Sequence, residues 1–332
     1  AEVAQTLVAK GHIVHAAGRD AQAAARRLPT MPFTQLDMAT LTKPDDWQRH
    51  LQNTDCVVNC AGALQDGGGT DLEALHHHAL AALGQAAEKH GILVVQISAI
   101  GAELDTPIPF LSSKARGDAA LLASGSRAVI FRPGLVLAQG AYGGTGLIRM
   151  LAAVPVLQPL ALPNARMQSV AAGDVATAVA MAVAGELPDG STYDLVEQSP
   201  QTLKDIIAGH RAALGFAPAR WHWTAPEWML GLTGWGADTL GKLGWRSPLR
   251  STATQVLRQD VTGDPAPWSA QSAPLPALPQ ILQTLHLGPE HRLQARMALL
   301  MPLCVAILAV FWFTSGLFGL ISLANAAAHL ET

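Results

Sequence analysis

The stretch "ILVVQISAIG" (residues 92–101) is a continuous apolar run that closes with a serine and a glycine. Continuous runs of this length are typical of strands that are buried on both faces of a parallel sheet. Two further stretches share this character, "DCVVNCAG" (residues 55–62) and "RAVIFRPGLV" (residues 127–136). We therefore predict buried parallel strands at all three places.

Working outward, two shorter strands are predicted at "HIVHAAG" (residues 12–18) and "FTQLD" (residues 33–37). Helical patterns lie between the strands, around residues 20–28, 44–52, 71–90 and 110–124. Strands that alternate with helices predict an α/β fold with a doubly wound parallel sheet of the Rossmann type. The chain opens on the helical stretch "AEVAQTLVAKGH". We therefore expect the first strand and its glycine loop to be missing from this chain.

The regular alternation of predicted strands and helices changes after residue 138. The stretch "AQGAYGGTG" (residues 138–146) predicts a glycine-rich loop, and residues 170–185, 191–197 and 202–216 predict a helix, a strand and a helix. Residues 263–279 are rich in proline, which predicts a linker or a surface wrap. We divide the chain into a Rossmann domain (residues 1–200) and a small, mostly helical lobe (residues 201–290).

Residues 297–328 contain no charged side chain, and this exceeds the ~20 residues that an α-helix needs to cross a bilayer. We predict one transmembrane helix over residues 297–325. Arg292 and Arg296 stand just before it, so the positive-inside rule places the preceding domain on the cytoplasmic side of the inner membrane. The glycine pair in "GLFGL" is spaced for close helix packing, which points to a membrane-protein partner.

Composition excludes several other classes of protein. The net charge of −3 does not indicate nucleic-acid binding. The three cysteines, at positions 56, 60 and 304, are an odd number and lack partners at metal-ligand spacing, which argues against a disulfide framework and a zinc site. The triplet "HHH" (residues 76–78) predicts a solvated helix face, because consecutive residues of an α-helix point in three directions. We therefore expect no metal site.

Ligands of an open parallel sheet bind beyond the carboxyl ends of its strands. Arg19 and Asp20 follow the first predicted strand. An arginine there suits the 2′-phosphate of NADP(H), whereas a carboxylate suits the ribose diol of NAD(H). Arg19 therefore favours NADP(H) as the cofactor, and Asp20 keeps NAD(H) as an alternative.

The other strand ends carry residues that fit the rest of a dinucleotide. Asp37 is placed for the adenine amino group, and Ala61 and Gly62 let the backbone lie against adenosine. Ser98 places a hydroxyl at the tip of a central strand. Pro133 and Gly134 leave room for a nicotinamide ring.

Taken together, these residues resemble the short-chain dehydrogenase/reductase superfamily. The resemblance is to its extended and atypical branch, near the nucleotide-binding accessory subunit of respiratory complex I. It covers residues 1–215 well and residues 216–290 loosely. The segment from Arg292 resembles the beginning of a DoxX-like membrane domain. In the family a strand and a G-x-x-G-x-x-G loop precede the opening helix, and the amides of that loop hold the pyrophosphate.

The active site of that family contains a serine, a tyrosine and a lysine four residues after the tyrosine. Ser98 and Lys114 match the serine and the lysine, and Phe110 stands where the tyrosine should be. Phenylalanine has no proton to exchange with a substrate oxygen. Tyr142, in the predicted glycine loop, is the substitute donor that we consider. The resemblance also implies that Lys114 binds the nicotinamide ribose. The predicted cofactor-binding set is Arg19, Asp37, Met38, Asn59, Ala61, Gly62, Lys114, Pro133 and Gly134.

These observations leave several functions open. The first is an oxidoreductase tethered to the membrane that acts on a lipid or quinone-like substrate. The second is a non-catalytic dinucleotide-binding module that stabilises or regulates a membrane complex, and a third is a sugar-nucleotide epimerase or dehydratase. Trp221, Trp223, Trp228, Trp235 and Trp245 lie before the apolar segment, so this region either meets the bilayer surface or packs within a helical lobe.

Overall fold

The computed structural model describes residues 1–66, 69, 71–141, 143–226, 228, 229, 231 and 251–321, with only the backbone at residues 251–254. The strands are β1 Ala16–Gly18, β2 Phe33–Gln35, β3 Cys56–Asn59, β4 Leu93–Ile97, β5 Ala128–Pro133, β6 Leu135–Leu137, β7 Leu157–Leu160, β8 Arg166–Met167, β9 Ser169–Ala171, β10 Ser191–Leu195, β11 Gln201–Thr202 and β12 Trp221–Thr224.

The α-helices are α1 Glu2–Ala9, α2 Ala21–Arg27, α3 Pro44–Trp47, α4 Ala79–His90, α5 Pro109–Ala123, α6 Gly143–Ala152, α7 Ala172–Val183, α8 Leu203–Ala213, α9 Ser251–Arg258, α10 Ala266–Ser269, α11 Leu278–Thr284 and α12 Pro289–Ile321. A π-helical turn, Ala74–His78, leads directly into α4, and 3₁₀ turns span Met38–Thr40 and Gln48–His50.

The central sheet has the strand order β10-β5-β4-β3, and all of its pairs are parallel. β1 and β2 form a second parallel pair. The predicted α/β parallel fold of the Rossmann type is therefore confirmed, together with a helical C-terminal lobe. The first predicted strand, residues 12–18, is shorter than expected and covers only Ala16–Gly18, which pair with Phe33–Gln35 of β2.

Helices cover both faces of the central sheet. On one face α1 and α7 pack over β4 and β5, and this layer buries Leu7, Val129 and Val179. On the other face α4 and the residues before it bury Trp47, Leu83 and Ile130. This burial on both faces is the physical reason why the strand sequences read as continuous apolar runs.

A separate core holds the lobe together. It joins α6, α8, α11 and the first turns of α12, with Ile148, Ile206, Ile281 and Ala295 among its buried side chains. The stretch predicted as a glycine-rich loop differs from that prediction, because helix α6 begins at Gly143. The division at residue 200 stays a prediction.

The proline-rich stretch, residues 263–279, packs against the Rossmann domain. Trp268 on α10 is buried and contacts Phe131 and Tyr193 edge to face, with ring centroids 6.2 and 5.8 Å away. Leu275 is buried in the same core. Of the two expectations, a linker or a surface wrap, the contacts fit the wrap.

Helix α12 is long and apolar enough to cross a bilayer by length and composition, and its apolar window is not buried against the rest of the protein. It begins eight residues before the predicted span, at Pro289, and is described to Ile321. Its first turns belong to the lobe, because Ala295 is buried there.

Candidate functional site: the carboxyl edge of the sheet

The carboxyl ends of the parallel strands converge on one edge of the molecule. β3, β4 and β5 are paired in register, so that Asn59, Ile97 and Pro133 close neighbouring strands. β1 ends at Gly18 beside β2. The predicted site residues follow these strand ends or lie on helix α5, which packs next to them.

Lys114 links the ends of β3 and β4. Its side chain is 5% exposed, and its Nζ atom donates a hydrogen bond of 3.0 Å to the carbonyl oxygen of Ile97. A Cβ atom added to Gly62 would lie 3.7 Å from the same Nζ atom. Burial lowers the pKa of Lys114 to about 8, although the nearby Asp118 favours the charged form.

Phe110 lies one helical turn before Lys114, as the spacing of four residues requires. Its ring centroid is 5.9 Å from Lys114 Nζ and 5.8 Å from the His76 ring, which it meets edge to face. The structure thus brings Phe110 and Lys114 together at the strand ends. At this position the side chain is an aromatic ring without a hydroxyl group.

The hydroxyl of Ser98 is bound inside the protein. Ser98 is 5% exposed, and its Oγ atom donates a hydrogen bond of 2.6 Å to Asp118 Oδ2. The Nε atom of Arg132 lies 3.6 Å from the same oxygen. Burial raises the pKa of Asp118, against the effects of Ser98 and Arg132. The sequence analysis missed Asp118 and Arg132. The one available signal for Asp118 was its spacing of four residues after Lys114.

His76 ties the loop after β3 to helix α5. Its Nε2 atom accepts a hydrogen bond of 3.1 Å from the Ala63 amide, so the ring proton lies on Nδ1, which is 2.9 Å from Ser113 Oγ. Ser113 in turn donates to the carbonyl oxygen of Phe110. Burial lowers the pKa of His76 to about 3. The prediction of a solvated face is wrong for His76, which is 4% exposed.

Of the neighbouring histidines, His77 contacts Glu73, which lies directly before the π-helical turn. His77 Nδ1 lies 2.6 Å from Glu73 Oε1, and the His77 and His78 rings are stacked at 4.8 Å. Arg116 binds both oxygens of Glu73, at 2.9 and 2.6 Å. The ligand atoms of Glu73, His77 and His78 come within 4.8 Å of one another, but the carboxylate is already engaged by a guanidinium group. The expected absence of a metal stays a prediction.

At the adenosine end, Arg19 and Asp20 have different surroundings. Asp20 caps helix α2, because its Oδ1 atom accepts a hydrogen bond of 2.8 Å from the Ala23 amide. Arg19 is exposed at the end of β1, and its carbonyl oxygen accepts from Gln35 Nε2 at 3.1 Å. Asp20, whose carboxylate kept NAD(H) as an alternative cofactor, therefore has a structural role as a helix cap.

Asp37 also serves as a cap. Its Oδ1 atom accepts a hydrogen bond of 3.1 Å from the Ala39 amide and begins the 3₁₀ turn that contains Met38. The side chain of Met38 is buried in the core beside α4. The contact of Asp37 with adenine stays a prediction.

The loop after β3 is held in shape by amide groups. Asn59 Oδ1 accepts from the Ala61 amide at 3.0 Å, and Asn59 Nδ2 donates to Gln96 Oε1 at 2.7 Å. Gly62, directly after Ala61, is exposed. Backbone is therefore presented at the edge where adenosine is expected.

At the nicotinamide end, Pro133 is buried and Gly134 is partly buried. A side chain at Gly134 would overlap the carbonyl oxygen of Gln168, so close packing of two backbone segments requires glycine here. Space for a nicotinamide ring stays a prediction. Tyr142, the substitute donor, lies outside the described residues.

The donor set fits a dinucleotide. An arginine stands at the end of β1, small residues follow β3, and a lysine closes the gap between β3 and β4. Among the described residues Lys114 donates one hydrogen bond, to the carbonyl oxygen of Ile97, which leaves two N–H donors on its ammonium group. The contact of Lys114 with the nicotinamide ribose stays a prediction.

Solved structures of several enzymes resemble this one. The Bordetella bronchiseptica enzyme WbmH in complex with NAD⁺ has a TM-score of 0.61 at 16% identity, over 87% of this chain and 93% of that chain. The Citrobacter sp. triphenylmethane reductase complexed with NADP(H) has a TM-score of 0.59 at 16% identity, over 86% and 95%.

UDP-N-acetylglucosamine 4-epimerase from Bacillus cereus has a TM-score of 0.55 at 14% identity, over 86% of this chain and 90% of that chain. Likeness at this identity shows the fold alone. No curated protein matches the chain at a significant level.

The sequence model of the NAD(P)H-binding family matches residues 1–185, which is more than half of the chain and includes every strand end described above up to Gly134. The chain belongs to the NAD(P)H-binding family, and its fold is of the Rossmann type.

Proposed function

We propose that this protein is an NADP(H)-preferring oxidoreductase that a membrane helix holds at the cytoplasmic membrane, where it reduces a quinone-like or lipid substrate. The observation that carries the proposal is the pair formed by Lys114 and Phe110. A buried ammonium group stands at the strand ends, and the neighbouring side chain provides no acid.

The chain's own residues bind and orient the cofactor. Arg19 pairs with the 2′-phosphate, since a guanidinium group binds phosphate oxygens bidentately. The loop of residues 59–62 supports adenosine, and Lys114 donates hydrogen bonds to the ribose beside nicotinamide. The bound cofactor would supply a hydride ion.

The missing acid restricts the substrate. Reduction of a simple ketone requires a proton at the carbonyl oxygen as hydride arrives, and Phe110 cannot provide it. A quinone accepts hydride to form a stabilised hydroquinone anion, which then takes a proton from water. In total, NADPH, one proton and the quinone become NADP⁺ and the hydroquinone. Phe110 therefore favours a quinone-like acceptor over a lipid ketone.

The membrane assignment rests on α12. The helix is long enough to cross a bilayer, and its apolar part begins directly after Arg292 and Arg296. We place the dinucleotide domain on the cytoplasmic side. The spacing of Gly316 and Gly319 supports close contact with another membrane helix, as the resemblance to a DoxX-like domain implies.

A second candidate is a non-catalytic dinucleotide-binding module of a membrane complex, and Phe110 favours it. Such a module would keep Lys114 to bind ribose and would not need the acid. Epimerase or dehydratase activity has less support, because it relies on the tyrosine of the family, which Phe110 replaces.

The two candidates separate in one set of assays on the detergent-solubilised full chain. NADPH and NADH binding is followed by cofactor fluorescence, and NADPH oxidation is followed with a panel of quinones. We expect binding of NADPH and oxidation with at least one quinone. The Lys114→Ala substitution should weaken binding about 10-fold or more, since it removes charge-assisted hydrogen bonds. Lys89→Ala, at an exposed position of α4, is the control.

Binding without oxidation of any acceptor would contradict the oxidoreductase and support the module. Gain of ketone reductase activity in Phe110→Tyr, from an inactive parent, would support the module as well. Lack of binding to either dinucleotide, in a folded protein, would contradict both candidates.

A further inference from the structure

A two-stranded ribbon in the lobe joins β7, whose buried side chains alternate with exposed or partly exposed ones, to β12, whose four residues are all exposed. β12 pairs with β7 in parallel, with Trp221 opposite Leu157 and Trp223 opposite Pro159. Partners in register point to the same side, and successive residues alternate between sides. Gln158 and Leu160 therefore point to the opposite side, and both are buried.

The inner face is held by specific contacts. Gln158 Nε2 donates a hydrogen bond of 2.9 Å to the carbonyl oxygen of Leu151, and Leu160 lies in the lobe core with Ile148 and Ile206. The packing of Gln158 and Leu160 therefore fixes which side of β7 points away from the protein.

The outer face is apolar and exposed. Trp221 is 66% exposed, Trp223 41% and Leu157 44%, and Val156, directly before the ribbon, is 56% exposed. Exposed apolar side chains in such a group mark a surface that meets another apolar medium. Tryptophan is the side chain that is enriched where hydrocarbon meets water.

The chain that leads into β12 passes the point where α12 becomes apolar. Phe216 stacks against the guanidinium groups of Arg292 and Arg296, at 4.8 and 5.3 Å from the ring centroid. Met297, the next residue of α12, is exposed and begins the apolar part. Four residues lie between Phe216 and Trp221, so the five steps along the chain limit the distance between their Cα atoms to about 18 Å.

We propose that the outer face of the β7–β12 ribbon, formed by Leu157, Trp221 and Trp223, docks together with the exposed Val156 directly before it on the interface of the same bilayer that α12 crosses. The occupant is the headgroup and upper acyl region of the lipids. Arg292 and Arg296 mark the headgroup level on α12, and docking requires the ribbon to reach that level. The inference rests on the membrane assignment proposed above.

The consequence is a fixed orientation of the Rossmann domain. A single helix leaves a domain free to rotate over the bilayer, whereas a second contact removes that freedom. The ribbon belongs to the same lobe core as α8 and the first turns of α12, so docking would hold the lobe and its site at a constant height above the lipids.

The test uses the full chain in vesicles of phosphatidylcholine and phosphatidylglycerol, with the cysteines at 56, 60 and 304 replaced by alanine. One environment-sensitive fluorophore is attached at a time, through Trp221→Cys, Trp312→Cys or Leu122→Cys. Trp312 lies in the apolar part of α12, and Leu122 is an exposed residue near the end of α5, which serves as the matched control. Circular dichroism and the melting temperature verify that each variant folds.

We expect a lipid nitroxide near the acyl carbonyl to quench the probes at 221 and 312, and iodide in the buffer to quench the probe at 122. A probe at 312 that senses lipid while the probe at 221 is quenched by iodide would overturn the docking inference and leave the membrane helix intact. A probe at 221 shielded from both quenchers would also overturn it, because protein would then cover the ribbon. Quenching of the probe at 312 by iodide would contradict the membrane assignment of α12. The docking inference depends on that assignment and would be contradicted as well.

Discussion

Arg19 stands at the end of β1 next to a carboxylate that already caps a helix. Because Asp20 accepts from the Ala23 amide, a negative charge beside the ribose would remain in place even if Arg19 were removed. The proposed preference for NADP(H) therefore depends on Arg19.

We predict that Arg19→Ser raises the Kd for NADPH about 10-fold or more and leaves the Kd for NADH nearly unchanged, since a charge-assisted phosphate contact contributes about 1.5–3 kcal/mol. Fluorescence titration with both cofactors measures this. Arg27→Ser, at the exposed end of α2, is the control. An equal loss of both cofactors would assign Arg19 a structural role.

His76 makes the fold sensitive to acid. Its pKa is about 3 in the folded protein, below the ordinary value of 6.5, because burial disfavours the charged ring. The unfolded chain therefore binds a proton first as the pH falls. The contribution is fully present above pH 6.5 and is lost progressively toward the folded pKa. Protonation of Nε2 would also remove the acceptor of the Ala63 amide.

We predict that the free energy of unfolding falls by about 2 kcal/mol from pH 7 to pH 5 through His76. Urea unfolding at the two pH values measures the change. His76→Gln should be less stable at pH 7 but should lose less stability on acidification. His210, whose pKa burial lowers to about 4, adds a similar loss that this variant retains. His12→Gln, at an exposed position, should keep the full dependence. An unchanged pH dependence in His76→Gln would contradict the prediction.

At the scale of elements, the packing of α5 on the π-helical turn depends on one glycine. Gly117 faces the carbonyl oxygen of His76, and a Cβ atom at this position would overlap that oxygen. The two elements approach closely enough for the contacts of His76 with Ser113 and of Glu73 with Arg116 to form.

We predict that Gly117→Ala lowers the free energy of unfolding by about 1–3 kcal/mol or more, because the backbone of one helix must move. Gly173→Ala is the matched control, since that helical glycine has only an ordinary contact, with Glu2 Oε1 at 3.8 Å. Thermal unfolding of both variants measures the difference. Equal stability of the two variants would contradict the close approach.

Other elements show how far local patterns predict structure. The strands around residues 55–62, 92–101 and 127–136 form where their apolar runs predict them, because each run is buried on both faces. The run of glycines at 143–146 predicts a loop, yet it begins α6. The helix is stabilised by tertiary contacts of Ile148 and Ala152 with the lobe core, which outweigh the low helix propensity of glycine.

At the scale of the whole molecule, α12 has two parts with different surroundings. Its first turns complete the lobe core through Ala295 and cover Phe216 with two arginines. Its remaining turns, from Met297, expose apolar side chains. The boundary between the two parts falls after Arg296.

We predict that a chain ending at Arg296 remains in the soluble fraction after cell lysis and melts close to the full chain, because the lobe contacts are kept. A chain ending at Gly288 should be less stable by about 2 kcal/mol, since it lacks the burial of Ala295 and two cation–π contacts. Fractionation and thermal unfolding measure both effects. A chain ending at Arg296 that pellets with membranes would show that α12 is not the only anchor, and the ribbon is the next segment to examine.

The sequence by itself determined the features that depend on local patterns. The alternation of apolar runs with helical periods specifies the parallel sheet, and the spacing of four residues places Phe110 over Lys114. The absence of charge after Arg296 specifies a helix that can span a bilayer. Only the tertiary structure decided which polar groups meet. Ser98 and Asp118, or His76 and Ser113, are far apart along the chain, and their pairing depends on how α5 packs against the sheet. The same holds for β7, because alternation predicts two faces but packing buries Gln158 and Leu160, which leaves Leu157 on the side of Trp221 and Trp223.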